Sequence, residues 1–546
     1  MPLKETSCYS TWNSHPVHRE IKGVPKQVLI RSNASAKLAW LAILLLAACH
    51  SVLYASYLPP WGLIDEEQHV HYIQMLAEQH AIPIVGETFL SPEIINSLFE
   101  TRRWEVFHWR TPLSRDPRDM GVEGYSYEGF QPPLFYLLAA PVYAILPNDI
   151  LVKVFGLRYA TVGLSLLTIW ITFRIAADLF PQRRLLPYLI CTLLIMIPER
   201  ALAAGRVNND ALIEVMAAAF VWACTRALLQ GISIRQSQLM GMLLGLGLLT
   251  KTSMALLAVL LPFVFWFNRR DPNCKWCVLW TGGIPAAFLA TWFTCNASLY
   301  GNLSNWNNFT QLMILPAPPV TWSSVTAAVW DLFRHFWMVW WKGSAAGSNP
   351  IANVLLLVLM VLSVLSFIGL MQQMTSPNNS NNKKRVILAF LATIGIYGVI
   401  TLAVYFDQDM PLVRPVIHLR FLLPVLVPVI ILFSWGLANS PARITGLVIA
   451  IGVLMALDAL SLFGNLLPYF YYWSAFVVNG VPQPHMPLDL QATWALFYPR
   501  FLADKPPFLR PLLVWILPVY MGLLVFCATT LRKLATGASS DAQIDG

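Results

Sequence analysis

Just after the first long apolar run stands Pro59-Pro60-Trp61-Gly62-Leu63-Ile64-Asp65-Glu66-Glu67-Gln68-His69-Val70-His71-Tyr72. Three carboxylates and two imidazoles at the edge of an apolar segment suit proton transfer, because a carboxylate in a partly dry place is tuned by burial toward the work of a general base. Asp65 and Glu66 are the candidate catalytic acids. The same group, with Glu67, His69 and His71, also has the donor types for a divalent metal or for an acceptor, and residue types alone leave base and metal ligand open. From Asp65 the spacing turns helical, with Asp65, His69, Tyr72 and Leu76 on one face. The plain alternative is that Asp65 caps that helix. One Asp is enough for a cap, and Asp-Glu-Glu followed by His-x-His is more than a cap requires.

A second set follows at Glu199-Arg200 and Gly205-Arg206-Val207-Asn208-Asn209-Asp210. Asp210 is either a third candidate catalytic carboxylate or the cap of the apolar run behind it. The third set is cationic: Arg158, Lys251, Arg414, His418 and Arg420, each at or inside an apolar segment. Snorkelling to headgroups explains any one of them, yet ionisable groups inside a bilayer are costly and by default functional. Carboxylates and separated cations on one side of a membrane suit a nucleophile that loses a proton and a phosphate that leaves. That makes Arg158, Arg206, Lys251 and Arg420 candidate phosphate ligands, and His418 a further metal or acceptor ligand.

The elements that must position these groups are membrane spans. Of 546 residues, 57% are hydrophobic and 12% charged, about half the charged share of a soluble chain. Apolar runs long enough to span recur throughout, which predicts an all-α polytopic membrane protein of about 11–13 transmembrane helices. The basic clusters Arg235, Arg269–Arg270, Lys383–Arg385, Arg443 and Arg532–Lys533 fall on one side if both termini are cytoplasmic. The net charge of +9 is then the positive-inside bias, not a nucleic-acid surface; no nucleic-acid motif accompanies it. Residues 1–35 read as a basic cytoplasmic tail. Residues 36–464 read as the main membrane module, 465–511 as an outer loop, 512–531 as the last span and 532–546 as a cytoplasmic tail. Loop 58–130 carries twelve acidic residues against five arginines and no lysine, which predicts a long extracytoplasmic loop bearing amphipathic juxtamembrane helices. The piece 132–147 is short and proline-bounded, which predicts a re-entrant or surface-lying helix. Eight scattered cysteines, among them a lone Cys274-x-x-Cys277, form no metal or disulfide framework.

Asp65-Glu66 after the first span, Gln131-Pro132-Pro133-Leu134-Phe135-Tyr136, Asn209-Asp210, Leu249-Thr250-Lys251 and Arg420-Phe421-Leu422-Leu423-Pro424 resemble, in the same order, motifs of GT-C-type integral membrane glycosyltransferases. The group is the family 39-like set of protein mannosyltransferases and aminoarabinose transferases, with a related bacterial membrane family of unassigned function. The resemblance spans about residues 36–440. It implies a GT-C-like bundle in a bacterial inner membrane and an inverting transfer of sugar from a polyprenyl-phosphate donor to a glycan, lipid or protein acceptor on the outer face. Asp65 or Glu66 would then be the base or acceptor-binding group, Asp210 the second acid, and Lys251 and Arg420 the holders of the carrier phosphate. The chain departs from the pattern with Gln131 where many members have histidine. The competing expectations are a transporter or flippase for a lipid-linked glycan and a non-catalytic part of an envelope-polysaccharide assembly. Candidate groups gathered at one face, with no internal repeat, favour the enzyme.

Overall fold

The computed structural model describes residues 34–62, 65–103, 114–303, 321–334, 350–377, 379–406, 422–472, 477–478, 481–482 and 490–544. Among them the chain is helical apart from turns, one isolated bridge and a two-residue antiparallel pair, Val477–Val478 with Val481–Pro482. Seven helices are long and apolar enough to cross a membrane: Ala34–Tyr57, Ile150–Leu179, Asp210–Gln230, Cys274–Tyr300, Pro350–Thr375, Arg443–Leu466 and Arg510–Thr536. An eighth arises if Leu186–Ile195 and Pro198–Ala204, bent by 70°, form one broken span. Among the described residues, seven or eight spans are thus fewer than the 11–13 expected; three shorter apolar helices, Leu134–Ile145, Thr252–Phe267 and Leu423–Asn439, accompany them. The protein is a multi-pass integral membrane protein.

Sequence accounts for most of these boundaries. Asp149 caps Ile150–Leu179, its carboxylate accepting from Leu151 N and Val152 N at 2.9 and 3.1 Å. Proline opens the bent pair's second half at Pro198. Residues 199–204 lie inside the buried helix Pro198–Ala204. The last helix continues past Thr536 to Ile544, into the tail expected at 532–546. Leu134–Ile145 has 12 residues, about 18 Å of helix, too short for a hydrocarbon core of about 30 Å.

Between spans, apolar faces gain little from one another that lipid does not also offer, so small residues that let backbones touch decide the packing. Pro350–Thr375 crosses Leu423–Asn439 at Gly369 and Gly436. A Cβ on Gly436 would lie 2.1 Å from Ser366 O, and one on Gly369 2.0 Å from Gly436 O. Ser366 Oγ adds a hydrogen bond to Phe433 O at 2.9 Å. Gly436→Leu is therefore expected to destabilise the chain by about 3 kcal/mol or more, read as a lower melting temperature in detergent; Gly452→Leu, at a position with open space, is the control that should melt normally.

The described residues between the first span and Leu134–Ile145 form a folded platform. Helix Glu66–Glu78 and helix Pro92–Glu100 bury Trp61, Val70, Tyr72, Ile73, Ile94 and Leu98 against Tyr136 and Leu157. Ser126 N donates to Thr88 O at 2.8 Å, and Leu90 N to Gly124 O at 2.9 Å, closing the platform on itself. Val85 N donates to the Tyr300 hydroxyl at 3.2 Å, tying its rim to the end of span Cys274–Tyr300.

Candidate active site

A helix ends with unsatisfied carbonyls and the negative pole of its dipole. At the end of the first span both are met by buried cations. Arg158, 0% exposed, donates to Ala55 O and Leu58 O at 3.0 Å, to Pro59 O at 2.7 Å, and to both Glu66 oxygens at 2.8 and 2.6 Å. All five guanidinium N–H groups are taken. Lys505, also 0% exposed, donates to Leu58 O at 2.7 Å, Tyr57 O at 3.3 Å and the Tyr471 hydroxyl at 2.8 Å. Glu66 accepts from Trp61 N at 3.1 Å and Val207 N at 3.0 Å as well. Arg158 has no donor left for a phosphate, and Glu66 has all its lone pairs occupied. Together they clamp the chain where it leaves the first span.

The clamp fixes Asp65. Its backbone is left-handed (φ 69°, ψ 5°), and its side chain does not cap the helix it begins. The carboxylate, 7% exposed, accepts from the Tyr127 hydroxyl at 2.6 Å. Left-handed geometry is uncommon for a residue with a Cβ, and such positions cluster at working sites.

The neighbouring acids and imidazoles have partners of their own. Glu67 faces Arg103 at 2.5 Å, with Glu123 4.0 Å from the same guanidinium nitrogen. Burial, then the charge of Glu67, raises the Glu123 carboxyl to about 7, Arg103 opposing and Asp65 adding. Burial likewise raises Glu67 against the pull of Arg103. His69 Nδ1 lies 2.9 Å from the Tyr136 hydroxyl, and His71 Nδ1 2.8 Å from Ser126 Oγ. Burial lowers His71 to about 4, so it is neutral near neutral pH. Because Glu123 binds its proton more tightly when folded, stability should fall as pH rises from the ordinary 4.5 to about 7, then level off. Melting temperature against pH should show that decline, and Glu123→Gln should flatten it; an unchanged slope would remove Glu123 as its source.

The second acid meets its cations. Asn208 Oδ1 accepts from Asp210 N at 2.8 Å and Ala211 N at 3.3 Å, so Asn208 is the cap and Asp210 is not. The Asp210 carboxylate, 1% exposed, takes Lys251 Nζ at 2.5 Å and Arg206 Nη2 at 3.3 Å. Arg206 Nε is buried without a hydrogen-bond partner. Lys251 is where it is because the apolar stretch breaks after Leu248, and Leu134 N donates to Leu249 O at 3.0 Å, tying the Gln131–Pro133 turn to that break. Tyr136 joins the halves: its hydroxyl meets His69 and lies within electrostatic reach of Glu128, Asp210 and Asp65. Arg200, by contrast, is bound to Glu214 at 2.7 Å and Ser165 O at 2.8 Å. Arg414, His418 and Arg420 lie outside the described residues.

Among the described residues no group of three or more His, Cys, Asp and Glu is placed to hold a metal. Glu66, Glu67, His69 and His71, candidates for a metal or an acceptor, meet Arg158, Arg103, Tyr136 and Ser126. Tyr127 and Lys505 were absent from the sequence reading. Lys505 does carry a signal, as the single lysine of residues 465–511, just before Pro506-Pro507.

Residues 131–294 match the family model described as dolichyl-phosphate-mannose-protein mannosyltransferase. No curated protein matches the chain. The chain is similar to two solved structures of ArnT from Cupriavidus metallidurans. The form bound to undecaprenyl phosphate is 14% identical, with TM-score 0.48, over 90% of this chain and 76% of that one. The apo form is 14% identical, with TM-score 0.48, over 91% and 77%. The Archaeoglobus fulgidus oligosaccharyltransferase is 12% identical, with TM-score 0.34, over 85% of this chain and 52% of that one. Arg206, Asp210 and Lys251 all lie within the stretch that matches this mannosyltransferase family model.

Proposed function

We propose that the protein is an inverting glycosyltransferase that takes a sugar from a polyprenyl-phosphate carrier at the outer face of a bacterial inner membrane, with both termini cytoplasmic. Asp65 removes the proton of an acceptor hydroxyl on a glycan, lipid or protein. The acceptor oxygen attacks the anomeric carbon, and the bond from that carbon to the carrier phosphate breaks with its electron pair on the phosphate oxygen. Arg206, Lys251 and Arg420 receive the phosphate charge.

The observation that carries this reading is the Arg206–Asp210–Lys251 group. Two cations against one carboxylate leave a net charge of +1 in a buried place, and Arg206 keeps an unused donor there. Such a group attracts a phosphate and costs little reorganisation when one arrives. The family match over this stretch supports the same donor class. Glu66 and Arg158 serve by position, and Glu67, His69 and His71 support the platform.

Binding of polyprenyl phosphate against the corresponding polyprenol, which lacks the phosphate, tests the donor class. The purified protein is expected to prefer the phosphate at least tenfold, and Lys251→Ala to abolish that preference. Equal binding of the two lipids by the wild-type protein would sink the reading.

A further inference from the structure

Below the site, inside the membrane, lies a polar cluster that the proposed chemistry does not use. His50 and Tyr54 stand one turn apart on the first span. His50 Nε2 is 2.8 Å from Asp458 Oδ2, and the Tyr54 hydroxyl donates to Asp458 Oδ1 at 2.7 Å. Asp458 belongs to span Arg443–Leu466, and all three side chains are buried. The last span closes the group: Tyr520 stacks on the His50 ring at 5.3 Å, and its hydroxyl reaches Met196 Sδ at 3.8 Å on the bent pair. Ala47, Leu46 and Leu53 around it are apolar and buried.

We infer that His50, Tyr54 and Asp458 form a registry key that sets the depth and rotation of the first span against the last two, and through it the height of Asp65. Apolar span surfaces resemble one another and lipid, so they define register weakly. Two directional bonds from one carboxylate to residues four apart define it strongly, because a slip of one residue breaks both. Register is also the best attested use of buried polar groups that an apolar set could replace at no cost in stability. The key acts on the site through short links. Cys49 Sγ faces Ile516 O at 3.8 Å, the Tyr57 hydroxyl donates to Leu513 O at 3.0 Å, and Lys505 holds the carbonyls of Tyr57 and Leu58. Seven residues beyond Leu58 comes Asp65. In this view the C-terminal spans, which lie outside the family match, position the catalytic carboxylate. That last step rests on the glycosyltransferase reading; the registry itself does not.

Cys49 supplies the test. In an Ile516→Cys chain in lipid nanodiscs, mild oxidation is expected to join the two thiols. The triple substitution H50L/Y54F/D458L, which keeps the volume apolar, is added to that background. The expected result is a melting temperature within a few degrees of the parent, crosslinking at least tenfold slower, and transfer lowered through kcat with KM little changed. Asp458→Glu, which keeps the carboxylate, should restore part of the crosslinking rate relative to Asp458→Leu. Crosslinking of the triple variant at the parent's rate overturns the registry, whatever the transfer assay returns. Failure of the wild-type chain to transfer sugar would count against the enzyme reading alone, since crosslinking still decides the registry.

Discussion

Asp65→Asn is expected to lower kcat about 1000-fold, within the range that a positioned base contributes, while KM and melting temperature stay near wild type. The substitution suits the question because asparagine tolerates the left-handed backbone that Asp65 adopts, and its amide oxygen still accepts from Tyr127. What it loses is the ability to take a proton. Asp65→Gly should also transfer nothing; it relieves the left-handed strain, about 1 kcal/mol, but leaves the buried Tyr127 hydroxyl without its acceptor, about 1–3 kcal/mol, so it is expected to melt no higher than wild type. Turnover by Asp65→Asn within tenfold of wild type would show that another group is the base.

The second large effect concerns stability. Arg158→Leu is expected to cost about 3–5 kcal/mol, the range for breaking a buried ion pair from one side. It strands Glu66 and leaves Ala55 O and Pro59 O without the donor they have now. Arg158→Lys should recover only part of this, because an ammonium has three donors for a site that uses five. The readout is yield and melting temperature of purified protein in one detergent. A phosphate ligand would behave differently: its loss would weaken carrier binding and leave melting unchanged. That contrast decides between the two roles for Arg158 on a single variant.

The parts of this site that sequence reveals are those whose partners are close in the chain or share its periodicity. Asp65 stands out because it follows a span and begins a helical pattern. Lys251 stands out because it breaks an apolar stretch, and Asp210 because it opens one. Their roles are less legible, because pairing at long range leaves no local trace. Arg158 lies 92 residues from Glu66, and nothing in the spacing tells a clamp from an anion ligand. Asn208, two residues before Asp210, competes for the capping role by geometry alone. Asp458 and His50 are ionisable residues inside apolar spans, a sign of function in the sequence itself, but their pairing across 408 residues leaves no local trace. The number of helices is uncertain from sequence because proline and glycine divide apolar runs into pieces, such as Leu186–Ile195 and Pro198–Ala204, too short to count as spans.

The double grip on the end of the first span has a consequence for how the protein is made. Leu58 receives Lys505 from 447 residues later in the chain. At about 5–20 residues per second, the ribosome delivers that lysine roughly 20–90 s after Leu58. Until then the exit of the first span holds only the half of its grip that Arg158 provides. A chain cut short during synthesis, or one whose last span inserts late, therefore carries an unfinished grip on the platform that follows the first span. Quality control that senses exposed backbone at that point would be reading the completeness of the whole polypeptide.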